Sequence, residues 1–204
     1  MNYIRNLYDW VLSWANKPNG VRALGSISFA EASFFPIPPD ILLIPLALGN
    51  KGKAIYFGIV CTFYSILGGV LGYSIGLWLW WNTSGELSAF ANYFFENVPG
   101  LSVESFYNVK LLYEKYNFFI IFTAGFTPIP FKLFTISAGA FSIEFTLFLL
   151  ASIVGRGSRF MILSFLIKKF GESIKYFIDK YFNILAIVFT ILLFGGMYII
   201  KFLI

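Results

Sequence analysis

The sequence contains FPIPPDILLI at residues 35–44, and a related stretch, TPIPFKLFTI, follows 92 residues later (127 − 35) at residues 127–136. Each stretch is apolar, is interrupted by Pro-Ile-Pro and carries one ionisable residue just after the interruption. That residue is Asp40 in the first copy and Lys132 in the second. Apolar segments interrupted at matching positions of two halves are typical of transporters with a binding site near the bilayer midplane. The repeat therefore predicts a membrane protein built from two related halves.

Proline ends or kinks a helix because it lacks an N–H and its ring clashes with the preceding turn. We expect the two interruptions to leave backbone carbonyls and helix N-termini free to line a site. The alternative is a pair of unrelated proline kinks. The prolines concerned are Pro36, Pro38, Pro39, Pro128 and Pro130.

The composition predicts an all-α integral membrane protein, because 58% of the residues are hydrophobic, 21% are aromatic and only 12% are charged. The chain has no histidine and one cysteine, Cys61. With no imidazole, no candidate nucleophile and no carboxylates at metal-ligand spacing, we expect neither an enzyme nor a metal or other cofactor. The formal charge of +5 is scattered over segment ends, so we expect no nucleic-acid partner.

Apolar length predicts about three full transmembrane helices, two re-entrant hairpins and amphipathic helices at the interface. The hairpins are Ala23–Asn50 and Tyr116–Ile143, whose halves are too short to cross ~30 Å of hydrocarbon. Re-entrant backbone is tolerated only where it is buried in protein or lines a watery cavity. The full spans are Ala54–Trp81, Phe145–Ile167 and Phe182–Ile200.

A single full span separates the two hairpins, so they enter the membrane from opposite faces and the repeat is inverted. The Lys/Arg bias places the N-terminus in the cytoplasm of a multi-pass protein. The predicted organisation is an amphipathic segment 1–22, a membrane domain 23–180 and a C-terminal helix 181–204. Within the domain, repeats 23–81 and 116–170 are joined by an external amphipathic linker 82–115.

The linker predicts two short surface helices. An apolar stripe marks the first, and Ser102 is the expected N-cap of a second that runs to Tyr113, with Glu104 in its first turn. In the first span, glycines at every fourth position predict a face for close helix packing, with the inverted partner span as a candidate partner. The stripe is Leu87, Phe90, Ala91, Phe94 and Phe95, and the glycines are Gly68, Gly72 and Gly76.

Five ionisable residues remain at membrane depth, where each costs about 2.5–3.5 kcal/mol unless it has a partner or water. Arg156 and Arg159 share a helix face and, with Lys132, suit a phosphate group. Glu31 and Asp40 are candidates for exchange of protons or counter-ions. The alternative, that these carboxylates only pair with the cations and hold the fold together, stays open.

These residues resemble the DedA family of bacterial inner-membrane proteins, also called SNARE-associated or VTT-domain proteins, and in particular its YqaA-like branch. The resemblance covers roughly residues 20 to 180. It rests on Glu31 followed by FPIPPD at 35–40, on FTPIP at 126–130 leading to Ala138-Gly139, and on GRGSRF at 155–160.

The resemblance implies flipping or scrambling of a phosphate-bearing lipid across the bacterial inner membrane, with proton coupling and homo-oligomerisation left open. Family members have arginines where this chain has Gly125 and Phe131. The departure leaves the cationic role to Lys132, Arg156 and Arg159, or indicates another headgroup. It favours a phospholipid over a strict polyprenyl-phosphate carrier. The alternatives are an undecaprenyl-phosphate recycling translocase, a proton-coupled small-ion transporter, a lipid-phosphate enzyme and a non-transporting scaffold.

Overall fold

The computed structural model describes residues 19–35, 37–97, 102–127, 129–171 and 173. These residues form helices and no strand, which confirms the all-helical fold class. The helices are α1 Gly20–Ser33, α2 Asp40–Gly49, α3 Ala54–Trp80, α4 Ala89–Asn97, α5 Val103–Phe126, α6 Phe131–Ala140 and α7 Phe145–Gly171, with a 3₁₀ turn at Lys51–Lys53 before α3.

The same order of elements occurs twice, as a helix, a proline-containing break, a short helix and a long helix. The short helices α2 and α6 each have 10 residues. The long helices α3 and α7 each have 27. At 1.5 Å per residue the short helices extend about 15 Å and the long ones about 40 Å. We call α1–α2 with its break the first broken segment and α5–α6 with its break the second.

Helices α3 and α7 are long and apolar enough to cross a membrane. Only 39% of the most apolar 18-residue stretch of each helix is buried inside the structure. Their bounds agree closely with the predicted spans. The predicted span Phe182–Ile200, most of the amphipathic segment 1–22, and the prolines Pro36 and Pro128 lie outside the described residues.

Side chains near both ends of α3 and α7 show that the two helices run antiparallel. Gly58 in the first half of α3 faces Ser164 in the second half of α7. Toward the other end, the rings of Tyr73 and Phe148 are 5.0 Å apart. The first broken segment belongs to the apolar core at the Gly58 end, and the second belongs to the core at the Tyr73 end. The two broken segments therefore occupy opposite ends of the α3–α7 pair.

Glycines let both broken segments approach α3 closely. A Cβ added at Gly68 would overlap the carbonyl oxygen of Phe29 in α1, and one at Gly76 would overlap that of Ile136 in α6. Gly139 of α6 lies equally close to the carbonyl oxygen of Tyr73. The glycine face is a packing face, but its partners are α1 and α6 rather than the partner span α7.

The linker and the start of the second segment differ in detail from expectation. Ser102 caps α5 in a capping box with Ser105, as predicted. That helix then continues to Phe126 across a kink at Tyr116, so the predicted short helix and the first arm of the hairpin form one element. The apolar stripe is also shorter, because α4 begins at Ala89 and Leu87 forms an isolated β-bridge with Trp81.

Candidate functional site

Arg156 lies at the middle of α7 and is held by the first broken segment and by α3. Its Nη2 donates to Oε2 of Glu31 in α1, and its Nε donates to Oγ of Ser65 in α3 at 2.7 Å. The whole residue is only 2% exposed. A buried guanidinium is tolerated because it is both paired with a carboxylate and hydrogen-bonded.

Two aromatic rings complete the surroundings of Arg156. Its guanidinium carbon lies 5.0 Å from the ring centroid of Phe131, the first residue of α6, and 4.7 Å from that of Phe160 in α7. Both distances are in the range of cation–π attraction, which strengthens when the cation is desolvated. Arg156 therefore contacts residues of both broken segments.

Asp40 and Arg159 form a second ion pair, with 2.6 Å between Oδ2 and Nη2. Asp40 is the first residue of α2, where the helix dipole favours a negative charge. Arg159 lies three residues after Arg156, on the same face of α7. The two side chains keep 18% and 17% of their surface exposed, so this pair is more accessible than the first.

Lys132 is not brought into either pair. It is half-buried at the start of α6, next to Phe131, and it has no acidic partner among the residues that the structure describes. Pro39 and Pro130 immediately precede α2 and α6, so each short helix begins directly after its proline break, and Pro38 is exposed. Of the five predicted charges, four are paired and one is set apart.

A neutral hydrogen bond joins the two broken segments. The hydroxyl of Thr135 in α6 donates to the carbonyl oxygen of Ala32 in α1 at 2.9 Å, and it shares its proton with the carbonyl oxygen of Lys132 in its own helix at 3.0 Å. Within a helix that carbonyl would accept from the residue four positions ahead, which is Pro36 and has no N–H. A Cβ at Gly72 would overlap the Thr135 hydroxyl, so the glycine makes room for this bond.

Comparison with known proteins shows relatives but no solved structure that matches, and no family model matches the chain. A Haemophilus influenzae protein described only as uncharacterized is 31% identical over 175 residues, which cover 85% of each chain. A Histophilus somni protein, "Uncharacterized protein HI0703 homolog", is 31% identical over 184 residues, or 88% of this chain and 91% of that one. The chain belongs to the family of these two proteins.

The sequence alone did not predict four residues of this site, which are Ser65, Thr135 and the two aromatic residues Phe131 and Phe160. A serine or threonine within an apolar helix is a weak signal, because such hydroxyls often bond only to their own helix. Phe131 carried a stronger signal, since the resemblance directed attention to positions 125 and 131. Both positions lie against Arg156. The Phe131 ring faces its guanidinium, and a Cβ added at Gly125 would be 3.2 Å from its backbone nitrogen.

The four paired charges form an electrically balanced group of two guanidinium groups and two carboxylates. Such a group can exchange one oxyanion for another on a guanidinium, since carboxylate and phosphate present similar acceptor oxygens. Among the described residues, no group of three or more potential metal ligands occurs.

Proposed function

We propose that this protein moves a phosphate-bearing lipid, such as a phospholipid, across the bacterial inner membrane, with the headgroup passing between the two broken segments. One observation carries the proposal: the ion pairs lie at mid-length of the long helices. Ser65 and Arg156, which contact each other, each come eleven positions after the first residue of their helix (65 − 54 and 156 − 145). A helix that spans the bilayer would hold these groups near the midplane.

A membrane setting is supported by the outer surface of the long helices. Large apolar side chains remain exposed along them, including Trp78 at 73%. Soluble monomers rarely expose contiguous apolar surface on this scale. We infer that α3 and α7 span the bilayer and that the broken segments are re-entrant hairpins entering from opposite faces. The antiparallel long helices, with one segment at each end, support that inverted arrangement. The cytoplasmic N-terminus remains part of the proposal.

The roles proposed for the charges follow their accessibility. Arg159 and Lys132 are the cations with exposed surface, and they bind the lipid phosphate during transport. Arg156, which we predicted from the sequence to bind phosphate, is enclosed in this conformation by Glu31, Ser65 and two rings. Its charge is balanced by Glu31 in this conformation. Asp40 exchanges protons or counter-ions as access alternates, whereas the buried Glu31, for which the sequence predicted the same role, stays paired with Arg156.

The resemblance to lipid-moving membrane proteins supports a lipid over a small ion, and the site chemistry alone fits both. An undecaprenyl-phosphate translocase and a proton-coupled small-ion transporter are therefore the alternatives that an assay must separate.

The test is transport by purified protein in vesicles of phosphatidylethanolamine and phosphatidylglycerol, with and without a pH gradient. Labelled phospholipids and undecaprenyl phosphate are followed between leaflets, and proton flux is recorded in parallel. We expect Arg159→Gln to slow lipid movement about tenfold or more, because a hydrogen bond to a charged group contributes roughly 1.5–3 kcal/mol. Lys132→Gln is expected to slow it less.

The matched control is Glu144→Gln, which removes an exposed charge just before α7 and should leave the transport rate unchanged. Melting curves of each variant separate lost transport from lost folding. The proposal fails if wild-type vesicles move no lipid faster than empty vesicles, or if well-folded Arg159→Gln and Lys132→Gln proteins both match the wild type. Proton or ion flux without lipid movement would select the small-ion alternative. Release of phosphate from the lipid would select an enzyme.

A further inference from the structure

The two arginines that pair with the first broken segment make very different numbers of contacts. Arg156 is fixed by Glu31, by Ser65 and by two aromatic rings, and it is almost fully buried. Arg159 makes one side-chain hydrogen bond among the described residues, to Asp40, and both members of that pair retain exposed surface. The two arginines are therefore not equivalent, although they lie one turn apart on the same face.

The two pairs also hold different parts of the segment. Glu31 belongs to α1, which packs closely along α3 through the contact between Phe29 and Gly68. Asp40 begins α2, on the other side of the break. Opening the Asp40–Arg159 pair would free the Asp40 carboxylate and the Arg159 guanidinium without breaking a hydrogen bond of Arg156.

We propose that the Asp40–Arg159 pair is the exchangeable half of the site, and that the phosphate of the transported lipid displaces the Asp40 carboxylate from the Arg159 guanidinium. Arg156 stays bound to Glu31 and Ser65 throughout and acts as a positioning residue that keeps both broken segments in place. This inference rests on the proposed function and adds to it which contact the substrate must break.

The exchange is chemically balanced without a further reactant. Carboxylate and phosphate oxygens both accept charge-assisted hydrogen bonds from a guanidinium, and a phosphate offers more acceptor oxygens. No covalent bond forms or breaks. The intramolecular carboxylate competes with the ligand, so removing it should tighten binding, whereas removing a carboxylate that does not compete should not.

The experiment measures binding of short-chain dioctanoyl phosphatidic acid to the purified full chain in detergent, with inorganic phosphate and uncharged dioctanoylglycerol as separate arms. We expect Asp40→Asn to tighten phosphatidic acid binding about fivefold, which corresponds to an ion pair of roughly 1 kcal/mol. Arg159→Gln should weaken it. Inorganic phosphate should show the same order of variants at lower affinity if the lipid chains also contribute.

A double-mutant cycle separates competition from a general charge effect. If the gain were only a general charge effect, Asp40→Asn would tighten binding equally when Arg159 is already glutamine, and Glu31→Gln would tighten it too. Under the competition proposed here, Asp40→Asn gains nothing in the Arg159→Gln background. Glu31→Gln removes the same charge one contact away and should not tighten binding, although it should lower the melting temperature.

Three results would overturn the inference: an unchanged or weaker affinity in Asp40→Asn, equal tightening in Glu31→Gln, or the same Asp40→Asn gain with and without Arg159. These outcomes are distinct from failure of the proposed function. If wild type moves and binds the lipid but shows one of them, transport stands and the exchange is wrong. Absence of lipid movement and phosphatidic acid binding in the wild type would remove both. Unfolded Asp40→Asn can be replaced by Asp40→Ser, for which the same tightening is expected.

Discussion

Both broken segments pack closely on α3, but the first is also attached to α7 by charge, whereas the second is held by packing and neutral hydrogen bonds. Glu31 and Asp40, one on each side of the first break, both pair with arginines. Their counterparts in the second copy are Thr123 and Lys132, and neither has an ion-pair partner among the described residues. The second segment is instead held by close packing of Gly139 against the carbonyl oxygen of Tyr73.

Hydrogen bonds from α3 reinforce the second attachment. The Tyr73 hydroxyl donates to the carbonyl of Ile143 at 2.6 Å, and the Trp81 indole donates to that of Ala140 at 2.7 Å. Packing and neutral bonds respond little to protons or anions, but an ion pair responds to both. Two copies of one backbone pattern therefore need not have equal freedom to move. Only the first has ion pairs with α7 among the described residues, and these are the contacts with which an anion could compete.

Arg156→Ala should cause the largest loss of stability, because it leaves Glu31 buried without a partner. We expect a loss of about 3–5 kcal/mol in the free energy of unfolding, measured by denaturant titration in detergent. The paired replacement Glu31→Leu with Arg156→Met should recover most of that loss, since it removes both charges together. A loss below about 1 kcal/mol in the single variant would contradict attachment by charge.

Gly139→Ala should destabilise the second segment, because the new Cβ overlaps the Tyr73 carbonyl and forces α6 away from α3. Overpacking of this kind costs about 1–3 kcal/mol. The control is Gly157→Ala, where the Cβ would make an ordinary contact 3.6 Å from Thr62, and the higher helix propensity of alanine should be neutral or favourable. Equal stabilities of the two variants in the same titration would refute attachment by packing.

Thr135→Val should cost about 1 kcal/mol, because it removes the hydrogen bond between the two segments while nearly preserving side-chain shape. Thr135→Ser keeps the hydroxyl and should retain most of the stability. Amide hydrogen exchange provides a local readout, with faster exchange expected at the end of α1 in the valine variant alone. Identical exchange in both variants would show that the bond does not link the segments.

Lys132→Gln should have the smallest effect on stability, within about 0.5 kcal/mol, because no ion pair is lost. Its melting temperature in detergent should match that of the wild type, whereas its transport rate should fall. A clear drop in melting temperature would mean that the second break is also held by charge, and the contrast between the two segments would disappear.

Much of this architecture is predictable from local sequence patterns. Apolar length predicted the bounds of α3 and α7, although α7 contains Arg156 and Arg159. The prolines marked both breaks, and Ser102 was predicted as an N-cap. The continuity of α5 was not predictable. Hydropathy does not distinguish a kink within one helix at Tyr116 from the end of one helix and the start of another.

The arrangement of the charges was less predictable than their presence. Which acid pairs with which arginine depends on how helices rotate and cross, and hydropathy does not encode that. Phe131 illustrates the limit: as a departure from a family pattern it suggested a missing cation, whereas in the structure its ring covers a cation supplied by another helix.

Three distant positions of the chain, Pro36, Gly72 and Thr135, together account for the hydrogen bond from Thr135 to Ala32. Pro36 provides no N–H, Gly72 leaves a gap, and Thr135 fills that gap with a donor. A substitution at one of them changes what the other two must do. Where a relative has a residue with an N–H at the position of Pro36 and a helix that continues through it, the Ala32 carbonyl can be bonded within that helix, and selection on the glycine and the hydroxyl is relaxed together. We therefore expect the residues at these three positions to covary among relatives, although more than thirty residues separate each position from the next.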